Sequence, residues 1–379
     1  MASSSYESSF NQTVILMFRN TIPPTFADSV IFDAKSLANG LSTLYYGSDN
    51  EIKRFTSINY GLLTRRPPYS ANLHSVVLLH YKMDIIGIDI AKSFEENIKN
   101  HLENDNLKFL PFPHKTHYKW ADWEFASVNT VCKRYLKLPT MTNLISRQSF
   151  QHPKAASLRS FTNFSAHWLM PFHPKRTKMS EFHTDSGIKQ LSMMETNNAS
   201  ILATTSIGQT DIYKIPYREN FHMLVIMRRG QPASFSQLHD DICWFVTENR
   251  FERLLLSLKS FTRVESIKMP KFKLTSEINV TDGLKTVIPF NSLNLKDAFK
   301  DSKMDHVHSP SFGFKILGEF ENFENGSNAN FIKYISRKQV PLNRPPITVN
   351  IDKPFVFFIL QDNYIVNIGI FTGKDVIGL

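Results

Sequence analysis

The 379-residue chain has only two cysteines, Cys132 and Cys243. Two thiols make no disulfide framework, and these stand in no metal-ligand spacing, so free buried thiols are expected and no metal site. No apolar run is long enough to cross a bilayer, which predicts no membrane span. Internal repeats and low-complexity linkers are absent, as is any run of five or six like charges that would mark a tail. The chain has no G-x-S-x-G elbow, no H-E-x-x-H, no P-loop and no G-x-G-x-x-G. His114-x-x-His117 and His306-x-His308 are the only close histidine pairs. Neither has a cysteine or carboxylate set beside it, so both read as surface or turn histidines. Asp240-Asp241 looks like a paired carboxylate, but reads better as the acidic cap of a following helix. No catalytic residue and no cofactor are expected; the chain does not read as an enzyme.

What is present is ordinary in bulk and particular in detail. Hydrophobic residues make up 42% and charged residues 21%, the balance of a globular protein able to bury a substantial core. Phenylalanine is abundant at 31 against 14 glycines, which favours half-buried strands. A net charge of +10 could attract nucleic acid, a glycosaminoglycan or an anionic membrane. The basic residues are scattered, however, at Arg65-Arg66, Lys175-Arg176, Arg228-Arg229 and Arg337-Lys338. That predicts a solvated basic surface with no nucleic-acid partner, and no tight basic stripe singles out a glycosaminoglycan.

Met1 to Phe10 is Ser-rich and has no basic region leading into an apolar stretch; Val14 to Phe18 is too short for a signal core. Either the protein has no such leader, or the leader lies outside this chain. An extracellular or cell-surface location and a cytoplasmic one both stay open. Five N-x-S/T sequons, at Asn11, Asn163, Asn198, Asn279 and Asn325, matter only on the secretory path.

Periodicity gives helices early and strands late. Leu37, Leu41, Leu44 and Tyr45 have helical spacing within Ser36 to Tyr46, with Gly47 as a stop. Ser93 to Leu102, Trp123 to Leu136 and Asp241 to Leu258 also read as helices. Leu73 to Tyr81 reads as a buried strand. From Ser157 the texture is strand-like, through Phe182 to Thr205, Ile212 to Met227 and Lys268 to Leu274. Alternation at Phe312, Phe314 and Ile316 and the apolar run Phe355 to Leu360 add two more. The class is α+β.

Several segments, in order, resemble one family. Phe164-Ser165-Ala166-His167-Trp168-Leu169-Met170-Pro171-Phe172 is similar to the strand that ends in W-x-x-P-F in serpins, and Thr177, Phe182 and Met193-Met194 follow in register. Ile215-Pro216-Tyr217 resembles an E-L-P-Y step, with Lys214 in the acidic place. Met269-Pro270-Lys271-Phe272 resembles the P-K-F strand. Asp352 to Ile359 and Phe371-Thr372-Gly373-Lys374 resemble the C-terminal signature. The likeness runs from about Ser29 to the end. It implies one serpin domain over 1–379, with three sheets, about nine helices and an exposed reactive-centre loop at about 326–345.

The resemblance further implies a monomer that acts by suicide inhibition. A target serine protease cleaves the loop and is held as an acyl-enzyme while the hinge side inserts into the central sheet. Glu324, Gly326 and Ser327 match the hinge, followed by Ala329, Phe331 and Lys333 as inward-facing positions. Family spacing puts the reactive bond at Val340-Pro341. Proline after the bond suits most serine proteases poorly, so cleavage after Arg337 or Lys338, by a trypsin-like enzyme, is the alternative. Trp168 and Lys271 fall at the breach, where Lys271 and Glu324 are expected to pair within about 4 Å.

Some positions depart from the family. Phe331 would overpack and Lys333 would bury a cation on insertion. The shutter's usual Ser-Pro is Asp33-Ala34, its asparagine is Ser160 and its histidine is Ile316. These departures suit a non-inhibitory serpin, a binding, carrier or surface-interaction protein, as the second reading.

Overall fold

A computed structural model describes residues 2–47, 73–82, 90–101, 107–112, 120–136, 156–164, 166–196, 200–258, 261–284, 312–322, 324 and 346–374. Its fifteen strands are β1 Val30–Asp33, β2 Leu73–Lys82, β3 Leu107–Phe112, β4 Ala156–Phe164, β5 Lys178–Thr184, β6 Gly187–Glu195, β7 Ser200–Ile207, β8 Thr210–Pro216, β9 Phe221–Arg228, β10 Phe261–Pro270, β11 Phe272–Asn279, β12 Phe312–Asn322, β13 Ile347–Asn350, β14 Phe355–Gln361 and β15 Tyr364–Phe371. The helices are α1 Ala2–Thr21, α2 Ala34–Gly47, α3 Lys92–His101, α4 Trp120–Leu136, α5 Phe235–Trp244, α6 Arg250–Ser257 and α7 Thr281–Leu284, with a 3-10 turn at Pro174–Arg176. The described elements are mixed helix and sheet, the α+β class. The chain divides into two compact units: 1–10, 32–164 and 275–318 form one, and 11–31, 165–274 and 319–379 the other.

The first unit is built on the five-stranded sheet β11-β12-β4-β2-β3. Successive side chains of a strand point to opposite faces, so each strand here serves two layers. On one face Val76, Leu78 and Phe161 pack with Val128 and Leu136 of α4. On the other face lies α2, docked by three contacts. Ser36 Oγ and Thr162 Oγ1 of β4 are 2.8 Å apart, Asn39 Nδ2 donates to Ser75 Oγ of β2 at 3.0 Å, and Gly40 faces the Phe314 ring of β12. A Cβ on Gly40 would meet that ring well inside contact distance, so only glycine lets the helix lie this close.

The second unit carries the ten-stranded sheet, in the order β1-β15-β14-β9-β8-β7-β10-β6-β5, with β13 on β10. β10 pairs with β7 through Phe261 to Val264 and with β6 through Lys268 to Pro270. One strand thereby joins what the resemblance implied as two sheets. β14 and β15 are almost wholly buried, a continuous apolar run rather than an alternation. The abundant phenylalanines concentrate here: Phe272 packs against Phe320, Phe355, Phe357 and Phe371.

Three local expectations need correction. Asp241 to Leu258 is two helices, α5 and α6. Asp240-Asp241 caps neither of them: Ser234 caps α5 in a reciprocal box with Gln237, and Asp241 lies in the last turn holding Arg228 at 2.7 and 2.8 Å. The solvated basic surface is also partly ion-paired. Arg228 is tied to Asp241, Arg229 to Asp211 and Arg176 to Glu195, which disperses rather than concentrates positive potential. Cys243 is a free thiol, half-buried near His239, and burial pushes it up to about 11. No helix among the described residues is long and apolar enough to cross a membrane.

Candidate functional site: the roots of the reactive loop and the central sheet

β12 runs out of the five-stranded sheet towards Glu324, and the chain re-enters the described structure at Pro346, just before β13. Gly326, Ser327, Ala329, Phe331, Lys333, Arg337, Lys338, Val340 and Pro341 all lie outside the described residues, as does Asn325.

The departing root is held at three points within the second unit. Asn322 Nδ2 donates to Pro270 O at 2.7 Å. Lys271 Nζ and Glu324 Oε2 are 3.1 Å apart, the pair expected at the breach. Thr177 Oγ1 donates to the other Glu324 oxygen at 2.7 Å, a partner that sequence reasoning did not assign. Burial pushes the Glu324 carboxyl up, but the hydrogen bonds from Thr177, its own backbone amide and Lys271 outweigh it and leave it below the usual range. Lys271 is placed by its own backbone, whose N–H donates to Ser192 O at 2.8 Å. β13 forms the returning root, paired in parallel with β10 through Ile347 to Asn350.

Trp168 lies in the same unit. It bridges Tyr217 as an antiparallel pair, and its ring stacks on the Tyr217 ring with centroids 3.9 Å apart. Phe172 meets it edge-on at 5.6 Å. The W-x-x-P-F and P-Y segments, distant in sequence, are thus one aromatic cluster. Burial holds the Tyr217 hydroxyl well above its ordinary range.

The three altered shutter positions fall in the first unit, all buried. Asp33 caps α2: its carboxylate accepts from Ser36 N at 2.8 Å and Ser36 Oγ at 2.7 Å. Desolvation pushes its pKa up to about 6 despite these bonds. Ser160 Oγ is buried with no hydrogen-bond partner among the described residues. Ile316 contributes a hydrocarbon face and no polar group. Among the sequons, Asn11 is wholly buried with its amide donating to Asn363 O, Asn163 donates to Leu136 O, and Asn279 is exposed.

Comparison with known proteins agrees with this geometry. The family model described as serpin (serine protease inhibitor) matches residues 87–374. A curated antitrypsin of Bombyx mori is 22% identical over 373 residues, covering 94% of this chain and 91% of that protein. An alpha-1-antitrypsin homolog of Cyprinus carpio is 22% identical over 215 residues, covering 54% of this chain and 52% of that one. The crystal structure of native protease nexin-1 with heparin superimposes with a TM-score of 0.76 at 17% identity, covering 97% of this chain and 99% of that one, a likeness of fold. The chain belongs to the serpin family. Members of the family are in general protease inhibitors rather than catalysts.

Proposed function

We propose that this serpin is a suicide-substrate inhibitor of a serine protease. The target's serine attacks the carbonyl of the reactive residue, the following residue leaves with a free amine, and an acyl-enzyme remains. The hinge side then enters the central sheet as a new strand before water can hydrolyse the ester. The observation that carries this reading is the arrangement around β12. This strand lies beside β4 in a sheet of five and leads directly to Glu324, which Lys271 and Thr177 hold where the loop departs. The reactive bond is proposed at Val340-Pro341, with Arg337 or Lys338 as the alternative residues before the cut.

The heparin in the protease nexin-1 structure belongs to that protein. With Arg228, Arg229 and Arg176 tied to carboxylates here, a glycosaminoglycan stays in our reading only as a weak further partner. We place the protein outside the cell or at its surface, with the cytoplasm as the alternative.

A non-inhibitory role is the second reading. It is favoured by Ser160, whose buried hydroxyl has no partner among the described residues, and by Phe331 and Lys333, which would have to enter the core. Incubation with trypsin-, chymotrypsin- and elastase-like proteases separates the two. The inhibitor reading expects an SDS-stable complex with at least one of them. Phe331→Ala with Lys333→Ala should lower the stoichiometry of inhibition, since a tenfold change in partition needs only about 1.4 kcal/mol of barrier difference. Cleavage with no stable complex, by wild type and double variant alike, would establish the non-inhibitory reading.

A further inference from the structure

The face of the central sheet on which α4 packs carries charged side chains among its apolar ones, and Arg159, Glu277 and Lys315 meet there. Arg159 of β4 is two residues from Phe161 of the α4 cluster, so it shares that face, and it is itself only 4% exposed. Its guanidinium Nη1 donates to Glu277 Oε1 of β11 at 3.0 Å. Lys315 Nζ of β12 donates to that same oxygen at 3.1 Å. The strand order is β11-β12-β4, so Arg159 reaches across the whole of β12 to a carboxylate two strands away.

The two bonds to Glu277 differ in one respect. Lys315 and Glu277 lie on the same side of the β4–β12 seam, and would move together if the sheet parted there. Arg159 and Glu277 lie on opposite sides. Neighbouring strands are ~4.8 Å apart, so a strand added at the seam moves β4 from β11 by about that much. With side chains held as they are, a 3.0 Å contact then leaves ion-pair range. Opening the seam therefore costs the Arg159–Glu277 bond of a guanidinium that is nearly buried.

We propose that Arg159 and Glu277 form an ionic clasp across the β4–β12 seam, and that rupture of this bond helps set the rate at which a strand enters the sheet. The inference rests on the insertion reading above and names the side chains that resist it. Lys315 donates to the same Glu277 oxygen from β12, and that bond does not cross the seam. A clasp of this kind slows premature insertion of the protein's own loop and takes part in the race between insertion and hydrolysis after cleavage.

The test uses the full, uncleaved protein and a fluorescent synthetic peptide of residues 326–338 carrying Phe331→Ala and Lys333→Ala. Arg159 is changed rather than Glu277, because Glu277 also holds Lys315 and its removal would break both bonds at once. Arg159→Met is expected to take up the peptide about tenfold faster, the equivalent of about 1.4 kcal/mol of barrier. Lys315→Met, which removes a bond to Glu277 that does not cross the seam and leaves the Arg159–Glu277 bond in place, is expected to stay at the wild-type rate. Equal acceleration by both would mean general loosening and would overturn the clasp. So would wild-type uptake that Arg159→Met leaves unchanged. If Arg159→Met does not fold, Arg159→Lys keeps the charge, shortens the reach and is held to the same comparison. If neither wild type nor variants take up peptide, and loop cleavage does not raise the melting temperature, the insertion reading itself is lost and the clasp with it.

Discussion

Trp168→Ala is expected to lower the unfolding free energy by about 3–5 kcal/mol, the cost of emptying a buried aromatic site that cannot fully collapse. The site has little room to collapse because its walls are fixed. Leu169 N–H donates to Pro216 O at 3.0 Å and Arg218 N–H to His167 O at 2.7 Å, so the backbone on both sides of the indole is pinned. The Tyr217 ring, stacked at 3.9 Å, would face a void. Trp168→Phe retains an aromatic face and is expected to cost markedly less. Denaturant unfolding followed by circular dichroism checks both. A Trp168→Ala loss below about 1 kcal/mol would show that the cluster relaxes and is not a rigid anchor.

Asp33→Asn is expected to flatten the dependence of stability on pH between about 4 and 7. The folded-state pKa is raised from 3.8 to about 6, so the folded protein holds this proton more tightly than the unfolded chain. The stabilisation is therefore complete below the unfolded value and is lost as pH rises through about 6. A shift of about two units corresponds to about 3 kcal/mol across that window, an order-of-magnitude figure. Asparagine keeps a side-chain oxygen for the Ser36 amide, as a good cap should, and carries no charge to desolvate. The variant should thus match the wild type near pH 4 and exceed it near pH 7. Thermal unfolding at both pH values measures the difference. A wild-type melting temperature that rises from pH 4 to 7, with Asp33→Asn rising in parallel, would mean that the carboxyl does not titrate in this range.

Recognition of the family rested on short segments in order, and the structure explains why they are informative. Trp168 and Tyr217 contact each other, and Lys271 contacts Glu324, so each motif is half of a contact. The residues between such halves are freer to vary. The misreadings are equally local. Asp240-Asp241 was assigned as a cap because acids suit helix starts, whereas Ser234 and Gln237 six and three residues earlier form the box. The helix α1 was not anticipated. Its register is visible in Phe10, Val14 and Phe18, spaced by four and each buried, but the serine-rich stretch before them hid it.

Sequence alone determined the class and the family. Composition and alternation depend on neighbours along the chain, and motif order survives drift. It also showed that Asp33, Ser160 and Ile316 depart from the family, but not what each departure does. Tertiary structure decided that Asp33 is a buried cap with a raised pKa, that Ser160 has no partner among the described residues, and that Thr177 shares Glu324 with Lys271. It alone placed Arg159 against Glu277, 118 residues away in the chain. Charge pairing and desolvation depend on distance in space, and strand order, which sets that distance, is not written in any local pattern of residues.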